Sequence, residues 1–134
     1  EIGSGLVGSE MCIRDSVKYG RQRFLTAPLM KWMFGKYVSD PAQRGNDLMS
    51  PVRASAERLR GLPATLIVVA ENDILRDEGE AMGRRLDEAG VEVTTVRFNG
   101  VVHDWGMLNG FAALHPTRTL IRLVGSVLRD YLEK

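Results

Sequence analysis

Apolar residues at Leu25, Leu29, Met30, Met33, Phe34 and Tyr37 recur at spacings of three and four, which predicts an amphipathic helix over 25–37. Ser39-Asp40-Pro41 closes it, because the residue before proline is pushed out of helical geometry. The stretch 43–51 is polar, contains Gly45 and Asn46, and reads as a loop. A short helix over 54–60 should stop at Gly61, with Pro63 reinforcing the stop. Residues 65–70 (TLIVVA) then form a continuous apolar, β-branched run with no polar alternation, the pattern of a parallel strand covered on both faces. A helix is expected over 77–89, with Met82, Leu86 and Ala89 on one face and Gly90 as its stop. A second strand is expected over 91–98. A final helix over 116–132 repeats Leu120, Val124, Val127 and Tyr131 at helical spacing.

Strand, helix, strand, helix is a βαβ unit with one helix following it. The fold class is therefore α/β, with parallel strands, flanking helices and a right-handed crossover. Sheets of this kind carry their chemistry at the carboxyl ends of the strands, here the loops 71–76 and 99–106. Asp73 stands in the first loop and His103 in the second, so adjacent strands would bring them out side by side. An aspartate so placed can accept the Nδ1 proton of the imidazole, fix its tautomer and stabilise the imidazolium. The same residues also have blander readings. Asp73 can be a turn residue satisfying backbone N–H groups at the strand end, and His103 a surface or capping residue. Asp77 reads as a helix N-cap, with Glu80 three residues on completing a capping box. Asp104 is expected to face away from His103. His115, before Pro116, reads as a helix-entry residue, and Trp32 and Trp105 read as packing residues.

Several segments also resemble the hormone-sensitive-lipase-like branch (fold 3) of the α/β-hydrolases. They are Ser50-Pro51, Gly61-Leu62-Pro63 leading into the apolar strand, the run 70–79 (AENDILRDEG), and Val102-His103-Asp104-Trp105 with Leu108-Asn109. The resemblance implies that the chain is the C-terminal part of an esterase or lipase, with Asp73 as the triad acid and His103 as the triad histidine. Ile74 stands where the family usually has proline, which should loosen the turn. Trp105 stands where it usually has phenylalanine, an aromatic for an aromatic.

The sequence contains no Gly-x-Ser-x-Gly nucleophile elbow and no His-Gly-Gly segment for an oxyanion hole. In the family both lie upstream, so the expectation is a partial domain over 17–134, inactive by itself. Residues 1–16 (EIGSGLVGSEMCIRDS) lack any sustained period and resemble translated sequencing-adapter DNA. They are expected to be either foreign or a flexible tail.

Composition adds exclusions. The 134 residues are 44% hydrophobic and 26% charged, with 18 Lys and Arg against 17 Asp and Glu, a net charge of +1. That balance gives no electrostatic reason to expect nucleic acid as a partner, and no apolar run approaches the roughly 18 residues of a membrane span. The single cysteine, Cys12, is compatible with a cytoplasmic location. The expected substrate is a small-molecule ester, processed through an acyl-enzyme that needs no metal or cofactor. Three alternatives stay open: a non-catalytic ligand-binding member of the fold, a peptidase of a related fold, and an unrelated α/β binding module. The last would want a Gly-rich phosphate loop after its first strand, and the sequence has none.

Overall fold

The structure, a computed structural model, describes residues 25–133. The proposed division between 1–16 and the rest of the chain lies outside the described residues. Helix α1 (Ala27–Tyr37) is entered through Thr26, whose Oγ1 accepts from Leu29 N–H at 3.4 Å. Short 3-10 turns at Pro41–Gly45 and Pro51–Arg53 lead to a single helical turn, α2 (Ala56–Leu59). Strand β1 (Thr65–Asn72), helix α3 (Arg76–Glu88) and strand β2 (Val93–Val102) form the βαβ unit. A 3-10 turn at Asn109–Phe111 and the long α4 (His115–Leu132) follow.

The strands pair in parallel, with Thr65 opposite Val93 and Ala70 opposite Phe98. Beyond that point the register shifts: Asn72 is opposite Val102, so Glu71 on β1 faces three residues on β2, Asn99 to Val101. The expected strand over 91–98 runs instead from Val93 to Val102. It absorbs Asn99 and Gly100 in a bulge, and Gly100 takes φ +74°, a conformation that costs a residue without Cβ little.

Side-chain alternation sorts the sheet into two faces. Ile67 and Val93 pack with Leu86, Ala89, Val91, Leu59 and Ala54, beneath α2 and α3. Val68, Ala70, Phe98 and Val101 point the other way, toward Trp105, Phe111 and Leu120 at the start of α4. Helix α3 lies close on β1 because Gly79 and Gly83 sit on its inner face. A Cβ at Gly79 would come 2.7 Å from Val69 Cγ1, and one at Gly83 would run into Thr95 Oγ1. Gly90, at φ +80°, follows the helix and releases the chain toward β2.

Both faces of β1 are thus covered, but only Val69 and Ala70 are fully buried. Thr65 to Val68 remain half-buried because, among the described residues, the sheet has only two strands. Trp32 also departs from expectation. It is 62% exposed on α1, and of that helix only Phe34 is buried.

Candidate active site

Asp73 follows β1 directly, and the sequence at this corner explains why it stays put. Ile74, next in the chain, is 1% exposed and packs with Leu25, Leu75 and Met30. Burial of a large aliphatic side chain anchors the corner where a ring would have stiffened it, a contribution of roughly 1.5–3 kcal/mol. The carboxylate of Asp73 is itself buried and divides its oxygens. Oδ1 accepts from Leu75 N–H at 2.9 Å, closing an Asx turn, and Oδ2 lies 2.8 Å from His103 Nδ1. Turn residue and imidazole partner, posed as alternatives by the sequence, are one residue with two oxygens.

His103 leaves the end of β2, one residue past the pair Asn72–Val102. Two residues on, Trp105 is buried, with its ring centroid 5.4 Å from that of Phe98 and the planes inclined at 44°. The reading of Trp105 as a packing residue agrees with this position. Its indole Nε1 is buried and has no hydrogen-bond partner among the described residues.

Asp104 is placed differently from its expectation. It does not face away: its Oδ1 lies 3.3 Å from His103 Nε2. The backbone makes this possible, because Asp104 takes φ +60°, the only positive value of a non-glycine among the described residues. The imidazole therefore stands between two carboxylates, Asp73 on Nδ1 and Asp104 on Nε2. Its pKa is raised above 6.5, first by the hydrogen bond that Nδ1 donates to Asp73. Burial opposes that rise, and the negative charges of Asp73 and Asp104 add to it.

Around the pair, two contacts tie the loops together. Glu71 Oε2 accepts from Gly100 N–H at 2.7 Å, reaching from β1 across to the bulge of β2. Arg76 Nη1 donates to Glu71 O at 3.0 Å, while its Nε donates to Asp77 Oδ1 at 2.8 Å. Asp77 is thus not the N-cap that sequence reasoning made it. That position falls to Leu75, which offers no side-chain cap, and Asp77 sits in the first turn of α3 as the partner of Arg76. Glu80 pairs with Arg97 of β2 at 3.2 Å instead of closing a capping box. Glu78, in the same first turn, has a buried Oε2 with no hydrogen-bond partner among the described residues, and burial raises its pKa from 4.5 to about 7. His115 opens α4, as its place before Pro116 suggests.

Sequence reasoning missed the parts played by Asp104 and Glu71. The only available signal for Asp104 was its residue type, since aspartate tolerates the left-handed conformation better than most. Nothing in the pattern marked Glu71 as reaching across the sheet. Among the described residues no cluster of three or more His, Cys, Asp or Glu is arranged to hold a metal ion. Among the same residues no helix is long and apolar enough to cross a membrane.

Two parallel strands joined by a crossover helix define an α/β protein, with the Asp73–His103 pair at the strands' carboxyl ends. The sequence profile of the alpha/beta hydrolase fold matches residues 8–107, a stretch that contains both Asp73 and His103. An ethyl acetate hydrolase from Pseudomonas putida is 38% identical over 95 residues, which are 70% of this chain and 29% of that protein. A crystal structure of a thermostable esterase from Pseudomonas putida superimposes with a TM-score of 0.81 at 43% identity, covering 83% of this chain and 35% of the other. The carboxyl esterase 2 of the fungus Tuber melanosporum gives a TM-score of 0.83 at 32% identity, over 87% and 38% of the two chains. The chain belongs to the alpha/beta hydrolase fold family, on its esterase- and lipase-like side. The matches span between 13% and 34% of the length of curated relatives, 29% in the ethyl acetate hydrolase.

Proposed function

We propose that this chain carries the acid and the base of a serine esterase, with Asp73 orienting His103 and His103 moving the proton. One observation carries the reading: Asp73 Oδ2 and His103 Nδ1 lie 2.8 Å apart at the ends of two hydrogen-bonded parallel strands. In this reading His103 Nε2 takes the hydroxyl proton of a serine as that oxygen attacks the acyl carbon. It then returns the proton to the leaving alcohol, and a water repeats the sequence on the acyl-enzyme. The serine and the oxyanion donors would come from chain N-terminal to the residues described, since the sequence has no Gly-x-Ser-x-Gly. The 134 residues alone would then turn over no ester at a useful rate. The substrate would be a small-molecule ester. That class is supported by the names of relatives such as the ethyl acetate hydrolase.

The test is to recover the coding sequence upstream of residue 17, express the longer protein and assay p-nitrophenyl esters of short acids. Hydrolysis should fall by about a thousand-fold or more in His103→Ala, the usual scale for loss of a triad member, and strongly in Asp73→Asn. Hydrolysis that survives His103→Ala undiminished would overturn the proposal, as would an upstream sequence with no nucleophile elbow.

A further inference from the structure

The imidazole nitrogen that a nucleophile would approach is Nε2, and Asp104 Oδ1 lies 3.3 Å from it. With Nδ1–H donating to Asp73, a neutral ring would turn the Nε2 lone pair toward a carboxylate, which is repulsive. A protonated ring donates from both nitrogens. The two contacts are unequal: 2.8 Å to the buried Asp73 against 3.3 Å to Asp104, whose side chain is 34% exposed. One clasp is short and sheltered, the other longer and open to water. Asp104 holds its position through a strained backbone, φ +60° without being glycine. Its own carbonyl accepts from Met107 N–H at 2.9 Å and Leu108 N–H at 3.2 Å, which fixes the turn around that conformation. A backbone held this way persists where its surroundings over-determine it.

We infer that Asp104 is a positioning residue that closes on His103 Nε2 when no hydroxyl occupies it, and opens when a nucleophile takes its place. Asp104 therefore competes with the nucleophile for the same nitrogen and sets how readily His103 becomes a free base. The opening half of this inference rests on the triad reading above; the closed clasp does not. The charged groups bearing on the ring come from two loops only among the described residues, Asp73 after β1 and Asp104 beside His103.

The experiment is an NMR titration of the full 134-residue chain, and of the longer protein that contains it, with 15N-labelled imidazoles. The chain has only two histidines, and the exposed His115 serves as the internal reference. Asp104→Asn and Asp104→Gly are compared with wild type. Both residues accept φ +60° as well as or better than aspartate, so both variants should fold. The titration midpoint of His103 should fall in both, with the Nε2 resonance leaving its carboxylate-bonded position while the Nδ1 proton signal from the Asp73 contact remains. In the longer protein the acidic limb of the kcat/KM profile should move down in pH by the same amount. A His103 midpoint and Nε2 shift identical to wild type in both variants overturn the inference. An ester hydrolysis indifferent to His103→Ala would instead strike the triad reading and leave the Nε2 result standing.

Discussion

Glu71 and Gly100 stand 29 residues apart, yet the carboxylate of one accepts the backbone N–H of the other at 2.7 Å. That hydrogen bond pins the β2 bulge to the end of β1, three residues before His103. Glu71→Ala should therefore release the bulge, whereas Glu71→Gln keeps an acceptor in place. A charge-assisted but solvent-accessible bond of this type contributes about 1 kcal/mol. Amide exchange at Gly100 should accelerate roughly fivefold in the alanine variant and little in the glutamine one. The low-field Nδ1 proton of His103 should broaden in parallel.

Stability should depend on pH through His103 with a definite sign. Its folded pKa lies above 6.5, so the imidazolium clasped by Asp73 and Asp104 stabilises the fold fully below 6.5. That contribution disappears as pH rises through the folded value. Urea unfolding of wild type and His103→Gln, repeated across pH, should show a gap that is widest on the acid side of 6.5 and narrows above it. A gap that widens with rising pH would contradict the clasp.

Glu78 predicts a second pH dependence. Burial raises its pKa from 4.5 to about 7, so the folded chain prefers the neutral acid. Stability associated with it is whole below 4.5 and is lost as pH rises through about 7. Glu78→Gln, which stays neutral, should leave stability unchanged near pH 4 and raise it by about 1–2 kcal/mol above pH 7. The figure is reduced from the full shift because the residue is only half-buried. Equilibrium unfolding at the two pH values measures this directly.

Close approach of α3 to β1 predicts a change of sign in a double mutant. Gly79→Ala places a Cβ 2.7 Å from Val69 Cγ1, a clash worth about 1–3 kcal/mol, against roughly 1 kcal/mol of gain in helix propensity. The single variant should be less stable than wild type. In a Val69→Ala background the clash is gone, and the same Gly79→Ala change should stabilise. Thermal melts of the four proteins complete the cycle.

The sequence exposed the fold at the places where one force dominates. An uninterrupted apolar run at 65–70 permits little but a covered strand, and Gly90 after a periodic face marks a helix end. Asp73 could be located because it follows such a strand, and His103 because it lies in the loop after the second one. What stayed hidden depends on tertiary geometry. The N-terminus of α3 was misread because Asp77 has the composition of a cap but spends its carboxylate on Arg76. The continuation of β2 past Phe98 depends on a bulge at Asn99 to Val101, which no alternation of residue types marks. Asp104 was turned the wrong way because a single φ decides its direction, and no periodicity encodes one φ. The exposure of Trp32 reflects neighbours, not its own residue type.

The distance between Asp73 and His103 is set by the ladder of β1 and β2 and by the bulge, not by the helix that joins them. Lengthening α3 by a turn, or enlarging the loop that carries Gly90, would leave Asp73 and His103 facing each other. Deleting one residue between Phe98 and His103 would shift the register and turn the imidazole toward the opposite face of the sheet. Length variation should therefore be tolerated around Gly90, where α3 hands over to β2, and not within β2 from Val93 to Val102.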